Sequence, residues 1–165
     1  MNIKDKVLVV EDEKSISGFI RAILSSNGYD VILARSGSEA FSMISSHCPD
    51  LVVLDLGLPD IDGMQIIETV RQWTQLPIIV VSARSYERDK VAALDKGADD
   101  YITKPFGAAE LLAQSYVKTF CMPSISGRPR SGAGARRDTP YALRARQRDA
   151  CLHGQVHRRG ADYRL

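Results

Sequence analysis

A short apolar run that ends in an acid and several turn formers constrains this chain more than any other feature. Leu51–Leu54 is too short for a buried helix, and Asp55 follows it at once. The run therefore predicts a strand that is buried on both faces of a parallel sheet. Open α/β sheets bind ligands at the carboxyl ends of their strands, which makes Asp55 a candidate functional residue. The alternative is that Asp55 only caps the strand or the following turn.

Similar short strands recur along the first two thirds of the chain, and each is followed by a stretch with helical periodicity. The predicted strands are Lys6–Val10, Asp30–Ala34, Leu51–Leu54, Ile78–Val81 and Asp100–Thr103. A strand and a helix that alternate five times indicate an α/β fold. Because crossovers between parallel strands are right-handed, we expect a five-stranded parallel sheet with helices on both faces.

The helices are predicted from their apolar spacing and their start signals. Ser36 begins a capping box and is expected to open the second helix. In the fourth helix, Val91 and Leu94 are expected to face inward. The fifth helix is expected to begin near Ala108 and, if residues 114–165 are out of frame, to be ordered only to about Leu112 or a turn beyond.

The composition changes abruptly after residue 113, which predicts one domain over 1–113 and a basic tail over 114–165. The first segment has a net charge of −6, whereas the tail holds eleven Lys and Arg against three Asp and Glu. Leu, Ile, Val and Phe make up only 7 of its 52 residues, too few to bury a core, so we expect a disordered tail. An Arg-rich arm that binds nucleic acid without sequence preference is one interpretation. We favour translation out of frame, because helical periodicity stops abruptly and Arg exceeds Lys ten to one.

The compartment is predicted from the absence of targeting signals. No apolar run in the sequence reaches the length of a membrane span, and the amino terminus leads into a strand rather than a signal peptide. The three cysteines are odd in number and widely spaced, which favours reduced thiols over a disulfide framework. We expect a cytoplasmic protein with no membrane partner.

Four chemical signals occur in a fixed order at the ends of the predicted strands. The acidic pair Glu11 and Asp12 follows the first strand, Asp55 the third, Ser82 the fourth, and Lys104 with Pro105 the fifth. With these signals in this order, residues 5–113 resemble the receiver domain of bacterial response regulators. The motifs Leu54-Asp-Leu-Gly-Leu-Pro-Asp and Ala98-Asp-Asp-Tyr-Ile-Thr-Lys-Pro-Phe-Gly are similar to the OmpR/PhoB group, and within it to regulators of potassium-transport operons.

A magnesium site is implied by this resemblance. The family has a flavodoxin-like sheet in the strand order 2-1-3-4-5, so strands 1 and 3 are neighbours and Asp12 and Asp55 converge in one cleft. Crowded carboxylates raise each other's pKa unless a cation joins them, and Mg²⁺ prefers oxygen ligands. The family pattern assigns Asp12, Asp55 and the backbone carbonyl of Gly57 to Mg²⁺, while Glu11 acts through water.

Phosphoryl transfer is the reaction that the resemblance implies. Asp55 would accept a phosphoryl group from a sensor histidine kinase as a carboxylate nucleophile. Lys104 would balance the added charge, and Ser82 would donate its hydroxyl to a phosphoryl oxygen. Ser82 would then move toward the phosphoryl group and Tyr101 would swing from an outward to an inward rotamer, which would reshape the face made by the fourth helix, fifth strand and fifth helix. We expect a phosphoacceptor, not an enzyme with an external substrate. The family pattern also implies a cis bond between Lys104 and Pro105.

The same face implies partners. Lys90, Asp100 and Glu110 match the charged residues with which the family forms a homodimer on phosphorylation. The resemblance further predicts a winged-helix DNA-binding domain that regulates transcription. Residues 114–165 do not match such a domain, so we expect the transcriptional role to be impaired.

Two other classes of protein place an acid after a buried strand. An aspartyl-phosphate hydrolase of the haloacid dehalogenase type needs a second Asp two residues after the first, and here that position is Gly57. A purely structural α/β module leaves the convergence of Glu11, Asp12, Asp55 and Lys104 unexplained.

Overall fold

The computed structural model describes residues 4–120, in which five strands alternate with five helices. The strands are β1 Lys6–Val10, β2 Asp30–Ala34, β3 Leu51–Leu54, β4 Ile78–Ser82 and β5 Asp100–Thr103. The helices are α1 Lys14–Ser26, α2 Gly37–His47, α3 Gly63–Arg71, α4 Glu87–Asp95 and α5 Ala108–Phe120. All strands are parallel and lie in the order β2-β1-β3-β4-β5, which confirms the predicted fold class.

The sheet separates two layers of core because alternate strand residues point to opposite faces. Val7 and Val9 of β1 pack with residues of α1 and α5, whereas Leu8 and Val10 pack with residues of α2, α3 and α4. Both faces are covered, which explains why the central strands are continuously apolar. The four residues of β3 are all buried, as the sequence predicts.

Side-chain caps fix where two of the helices begin. Ser36 Oγ accepts a hydrogen bond from Glu39 N at 3.2 Å, which confirms the predicted start of α2. The Glu39 carboxylate accepts in return from Arg35 N at 2.6 Å, one residue before the cap. Asp62 caps α3, since its Oδ1 accepts from Met64 N at 2.9 Å. Each such cap is worth about 1 kcal/mol.

The prediction that Val91 and Leu94 face inward is wrong. Their exposed fractions are 48% and 45%, and Ala93 is the residue of α4 that is fully buried. Two apolar residues three positions apart do not fix the orientation of a helix when its buried side carries a small residue. α4 therefore presents an apolar strip to solvent.

The prediction that the fifth helix ends at about Leu112 or one turn beyond is also wrong. α5 continues to Phe120 and crosses the predicted boundary between residues 113 and 114. Its buried side carries Leu111, Ser115 and Thr119, spaced four residues apart. The two hydroxyls donate to the carbonyls one turn earlier, at 2.8 and 2.9 Å, so they are buried without an unsatisfied group. The predicted basic tail beyond Phe120 lies outside the described residues.

Within residues 4–120, no helix combines the length and the apolar character needed to cross a membrane.

Candidate functional site

The candidate site lies where the carboxyl ends of four strands meet. Asp55 N donates to Val10 O at 2.9 Å, so the end of β3 is held beside the end of β1. On the other side, Lys104 N donates to Ser82 O at 2.9 Å and joins the ends of β5 and β4. Side chains that are far apart in sequence are thereby brought to one edge of the sheet.

A cavity of about 480 Å³ opens at this edge. Its walls are formed by residues that follow β1, β3, β4 and β5: Glu11, Asp12, Glu13, Asp55, Gly57, Ser82, Ala83, Arg84 and Lys104. All six residues that the sequence predicts for metal binding and phosphoryl transfer are among them. The structure thus brings the predicted set together in one place.

Three carboxylates converge in this cavity. Glu11, Asp12 and Asp55 each offer an oxygen, and these oxygens lie within 4.8 Å of one another. Glu11 and Asp55 are 2% and 8% exposed, whereas Asp12 is open to solvent. A set of closely spaced oxygen ligands with one exposed side fits a hard divalent cation that keeps some of its waters, such as Mg²⁺.

Lys104 compensates the negative charge of this cluster. Its Nζ lies 2.7 Å from Glu11 Oε2 and 3.5 Å from Asp55 Oδ2. Burial raises the pKa of Glu11, and the hydrogen bonds from Lys104 and from Glu13 N offset that effect only in part. Burial lowers the pKa of Lys104, but its hydrogen bond to Glu11 and the charge of Asp55 outweigh burial, so the pKa is raised. The lysine therefore stays charged.

The two predicted switch residues are linked through the backbone of Arg84. Ser82 Oγ accepts from Arg84 N at 3.2 Å, and the Tyr101 hydroxyl donates to Arg84 O at 2.6 Å. Tyr101 is partly buried against the core on the side of α2, α3 and α4. Its pKa is raised, mainly because burial disfavours the phenolate. The Lys104–Pro105 bond is cis, as predicted.

The residues predicted for a dimer face lie away from the cavity. Lys90 is on α4, Asp100 on β5 and Glu110 on α5. None of the three forms an ion pair within residues 4–120. The apolar strip of Val91 and Leu94 on α4 lies beside Lys90 in sequence and is exposed.

Sequence reasoning missed an ion pair at the rim of the cavity. Arg84 Nη2 lies 2.8 Å from Asp62 Oδ2, and the two residues are 22 positions apart. The pair raises the pKa of Arg84. Burial acts to raise the pKa of Asp62, but the hydrogen bonds from Arg84 and Met64 N, together with the charge of Arg84, outweigh burial and lower the pKa. The position of Asp62 before an amphipathic stretch was a readable cap signal. Its pairing with Arg84 had no signal in the sequence.

Comparison with known proteins gives one family. The family model of the response regulator receiver domain matches residues 7–115. The KDP operon transcriptional regulatory protein KdpE of Escherichia coli K12 is 51% identical over 111 residues, which are 67% of this chain and 49% of that protein. The transcriptional regulatory protein KdpE of Mycobacterium tuberculosis is 50% identical over 108 residues, 66% of this chain and 48% of that protein. The chain thus spans about half the length of these relatives.

Solved structures of receiver domains are also similar to this chain. The Francisella response regulator 1452 receiver domain superposes with a TM-score of 0.68 at 35% identity, covering 70% of this chain and 97% of that one. The BeF3-activated receiver domain of Klebsiella pneumoniae RstA gives a TM-score of 0.68 at 33% identity, covering 70% and 98%. These matches confirm the resemblance drawn from the motifs, including its KdpE-like character. The chain belongs to the response regulator receiver family of two-component systems.

Proposed function

We propose that Asp55 accepts a phosphoryl group from a sensor histidine kinase and that this modification is the signal the domain transmits. The observation that carries the proposal is the position of the Asp55 carboxylate. It lies at the end of a buried strand, in a cavity, with two other carboxylates within 4.8 Å and the Lys104 ammonium group at 3.5 Å.

The chemistry follows from these contacts. An oxygen of Asp55 attacks phosphorus, a new O–P bond forms, and the bond from phosphorus to the histidine nitrogen of the kinase breaks. The departing imidazole keeps the electron pair of that bond. Lys104 offsets the charge that arrives on Asp55 because its cationic group already lies beside that carboxylate. Ser82 supplies a hydroxyl at the end of the neighbouring strand for a phosphoryl oxygen.

Asp12, Asp55 and the backbone carbonyl of Gly57 are the groups that would hold Mg²⁺. Glu11 is already engaged by Lys104 and by Glu13 N, so we assign it an indirect role through water. Bound there, Mg²⁺ would neutralise negative charge on the phosphoryl oxygens during transfer.

The proposed output is a change in the face made by α4, β5 and α5. Ser82 and Tyr101 both contact Arg84, so a shift of Ser82 toward a phosphoryl group would also change the contact between Arg84 and Tyr101. The domain needs only two states a few kcal/mol apart for phosphorylation to select between them. Lys90, Asp100 and Glu110 on this face would pair with a second copy in a homodimer.

The similarity to KdpE proteins suggests the signalling pathway in which the domain acts. We propose a KdpD-like sensor histidine kinase as the phosphoryl donor and transcriptional regulation of a potassium-transport operon, through DNA, as the output of the pathway. We assign the domain the part of a phosphoacceptor and not of an enzyme with an external substrate. Hydrolase chemistry of the haloacid dehalogenase type is disfavoured because Gly57, not a second Asp, lines the cavity. Nucleic-acid binding by the predicted basic tail concerns residues largely outside those described.

Phosphotransfer tests this function. A KdpD-like kinase that carries a radioactive phosphoryl group should pass the label to the chain in Mg²⁺, and EDTA should block the transfer. Acetyl phosphate provides a second donor that needs no kinase contact. The absence of label on the chain from both donors, or transfer that persists in EDTA, would contradict the proposal.

A further inference from the structure

The ion pair between Arg84 and Asp62 suggests a control on the phosphoryl site itself. We propose that Arg84 is a second cation for the phosphoryl group on Asp55, and that Asp62 competes for it in the unmodified protein. Asp62 then sets how readily the phosphorylated state forms. The proposal rests on the proposed function of Asp55 and adds a positioning residue to it.

The position of Arg84 is the first observation. It lines the same cavity as Asp55, yet its guanidinium is turned to Asp62 at 2.8 Å. The side chains of Arg84 and Asp62 are 38% and 41% exposed. An ion pair with this much solvent contact is weak, so a change of partner costs little.

The charges in the cavity supply the reason for an exchange. Phosphorylation converts the Asp55 carboxylate, with one negative charge, into an acyl phosphate with about two, so the cavity gains about one negative charge beside the carboxylates of Glu11 and Asp12. Lys104 is shared between Glu11 and Asp55 and is a compact point charge. A guanidinium can donate two parallel hydrogen bonds to phosphoryl oxygens, which suits Arg84 as the additional ligand.

The backbone of Arg84 gives the exchange a consequence beyond charge. Its N–H donates to Ser82 Oγ and its carbonyl accepts from the Tyr101 hydroxyl. A movement of Arg84 from Asp62 to the phosphoryl group would therefore change the hydrogen bonds that Arg84 forms with both Ser82 and Tyr101. Asp62 opposes this movement because it holds the Arg84 guanidinium, and it also caps α3.

The test measures the affinity for beryllofluoride with Mg²⁺, the phosphoryl mimic present in the activated RstA receiver structure. Asp62→Asn removes the charge but keeps an oxygen to accept from Met64 N, so the α3 cap survives. We expect Asp62→Asn to raise the affinity about two- to fivefold, the range of a partly exposed ion pair, and Arg84→Gln to lower it by a similar factor. In the Arg84→Gln background, Asp62→Asn should have no effect.

Glu68→Gln is the matched control. It removes the ion pair between Glu68 of α3 and Lys96. This pair is also partly exposed, but neither residue lines the cavity. Its affinity for beryllofluoride should equal that of the wild type. If Asp62→Asn has the same effect with and without Arg84, or no effect in the wild-type background, the competition does not exist. A wild-type chain that binds no beryllofluoride would overturn this proposal together with the proposed function of Asp55.

Discussion

Lys104 Nζ lies 2.7 Å from Glu11 Oε2, and this contact joins residues 93 positions apart, at the ends of β5 and β1. The strand order implied by the family resemblance predicts crowded carboxylates, which favour a divalent cation. The structure shows that the chain itself supplies part of that charge. The acidic cluster is therefore partly compensated before any metal binds, and Lys104 has a structural as well as a chemical role.

Replacement of Lys104 tests this structural role. Lys104→Met should lower the free energy of unfolding by about 1–3 kcal/mol, because the Glu11 carboxylate stays buried and loses its partner. Urea unfolding at neutral pH without Mg²⁺ measures the change. Glu11→Gln added to Lys104→Met should recover part of the loss, since the unpaired charge is then gone.

Lys96→Met serves as the control for that experiment. Lys96 also forms an ion pair, with Glu68, but both side chains are at least one third exposed. Its loss should cost no more than about 1 kcal/mol. If Lys96→Met and Lys104→Met lower the free energy of unfolding equally, the buried contact of Lys104 stabilises the fold no more than an exposed ion pair does.

Gly63 is predicted to be essential for the backbone around Asp55. A Cβ at this position would lie 2.7 Å from the carbonyl oxygen of Asp55 and 2.7 Å from Leu56 Cα, and neither backbone atom can yield easily. Gly63→Ala should destabilise the fold by about 1–3 kcal/mol through overpacking. Gly18→Ala is the contrasting variant, because that helical glycine has open space around it and should gain up to about 1 kcal/mol. Thermal unfolding of both variants decides; a Gly63→Ala protein as stable as wild type would contradict the geometry.

Asp60 should contribute stability that depends on pH. Burial acts to raise its pKa, but hydrogen bonds from Gly37 N, Ser38 N and Ser38 Oγ outweigh it and lower the pKa from 3.8 to about 2. Because the folded pKa is depressed, the stabilisation is fully present above the unfolded value and is lost as the pH falls toward the folded one.

The measurement compares wild type with Asp60→Asn in urea at a series of pH values. The difference in unfolding free energy should be constant above about pH 5 and should shrink between about pH 4 and pH 2. Ser38→Ala removes one of the three donors and should give a smaller pH-dependent loss. A difference that does not change with pH would rule out the carboxylate as the stabilising group.

Asp12 should matter for metal affinity more than for folding. It is the exposed member of the carboxylate cluster, so Asp12→Ala should weaken Mg²⁺ binding and slow phosphorylation by acetyl phosphate. Titration calorimetry with Mg²⁺ reports the affinity directly. Glu87→Ala, which removes an exposed acid outside the cavity, should leave it unchanged. If Asp12→Ala binds Mg²⁺ with wild-type affinity, Asp12 is not a metal ligand and acts only in local structure.

The position of the site could be predicted from the sequence because it follows from strand order. Asp55, Ser82 and Lys104 each stand at the end of a short apolar strand, and parallel strands end at one edge of a sheet. Periodicity therefore predicts that these residues lie at one edge of the sheet, whereas the convergence of Asp12 and Asp55 in one cleft follows from the strand order that the family resemblance implies.

Other features could not be predicted because they depend on side-chain packing between distant segments. The pair of Arg84 with Asp62, and the hydrogen bonds from the start of α2 to Asp60, join loops about 22 residues apart. The extent of α5 does not follow from an apolar pattern, because Ser115 and Thr119 bury hydroxyls that bond within the helix.

Mass spectrometry of the intact chain after incubation with acetyl phosphate and Mg²⁺ tests the central claim most directly. Asp55 lies beside Lys104 and the other carboxylates, whereas Glu11, which shares these neighbours, is already engaged by Lys104 and by Glu13 N, so wild type should gain one phosphoryl group and Asp55→Asn none. Circular dichroism should show that Asp55→Asn is folded. A phosphoryl group retained by folded Asp55→Asn, or a wild-type chain that gains none, would contradict the account.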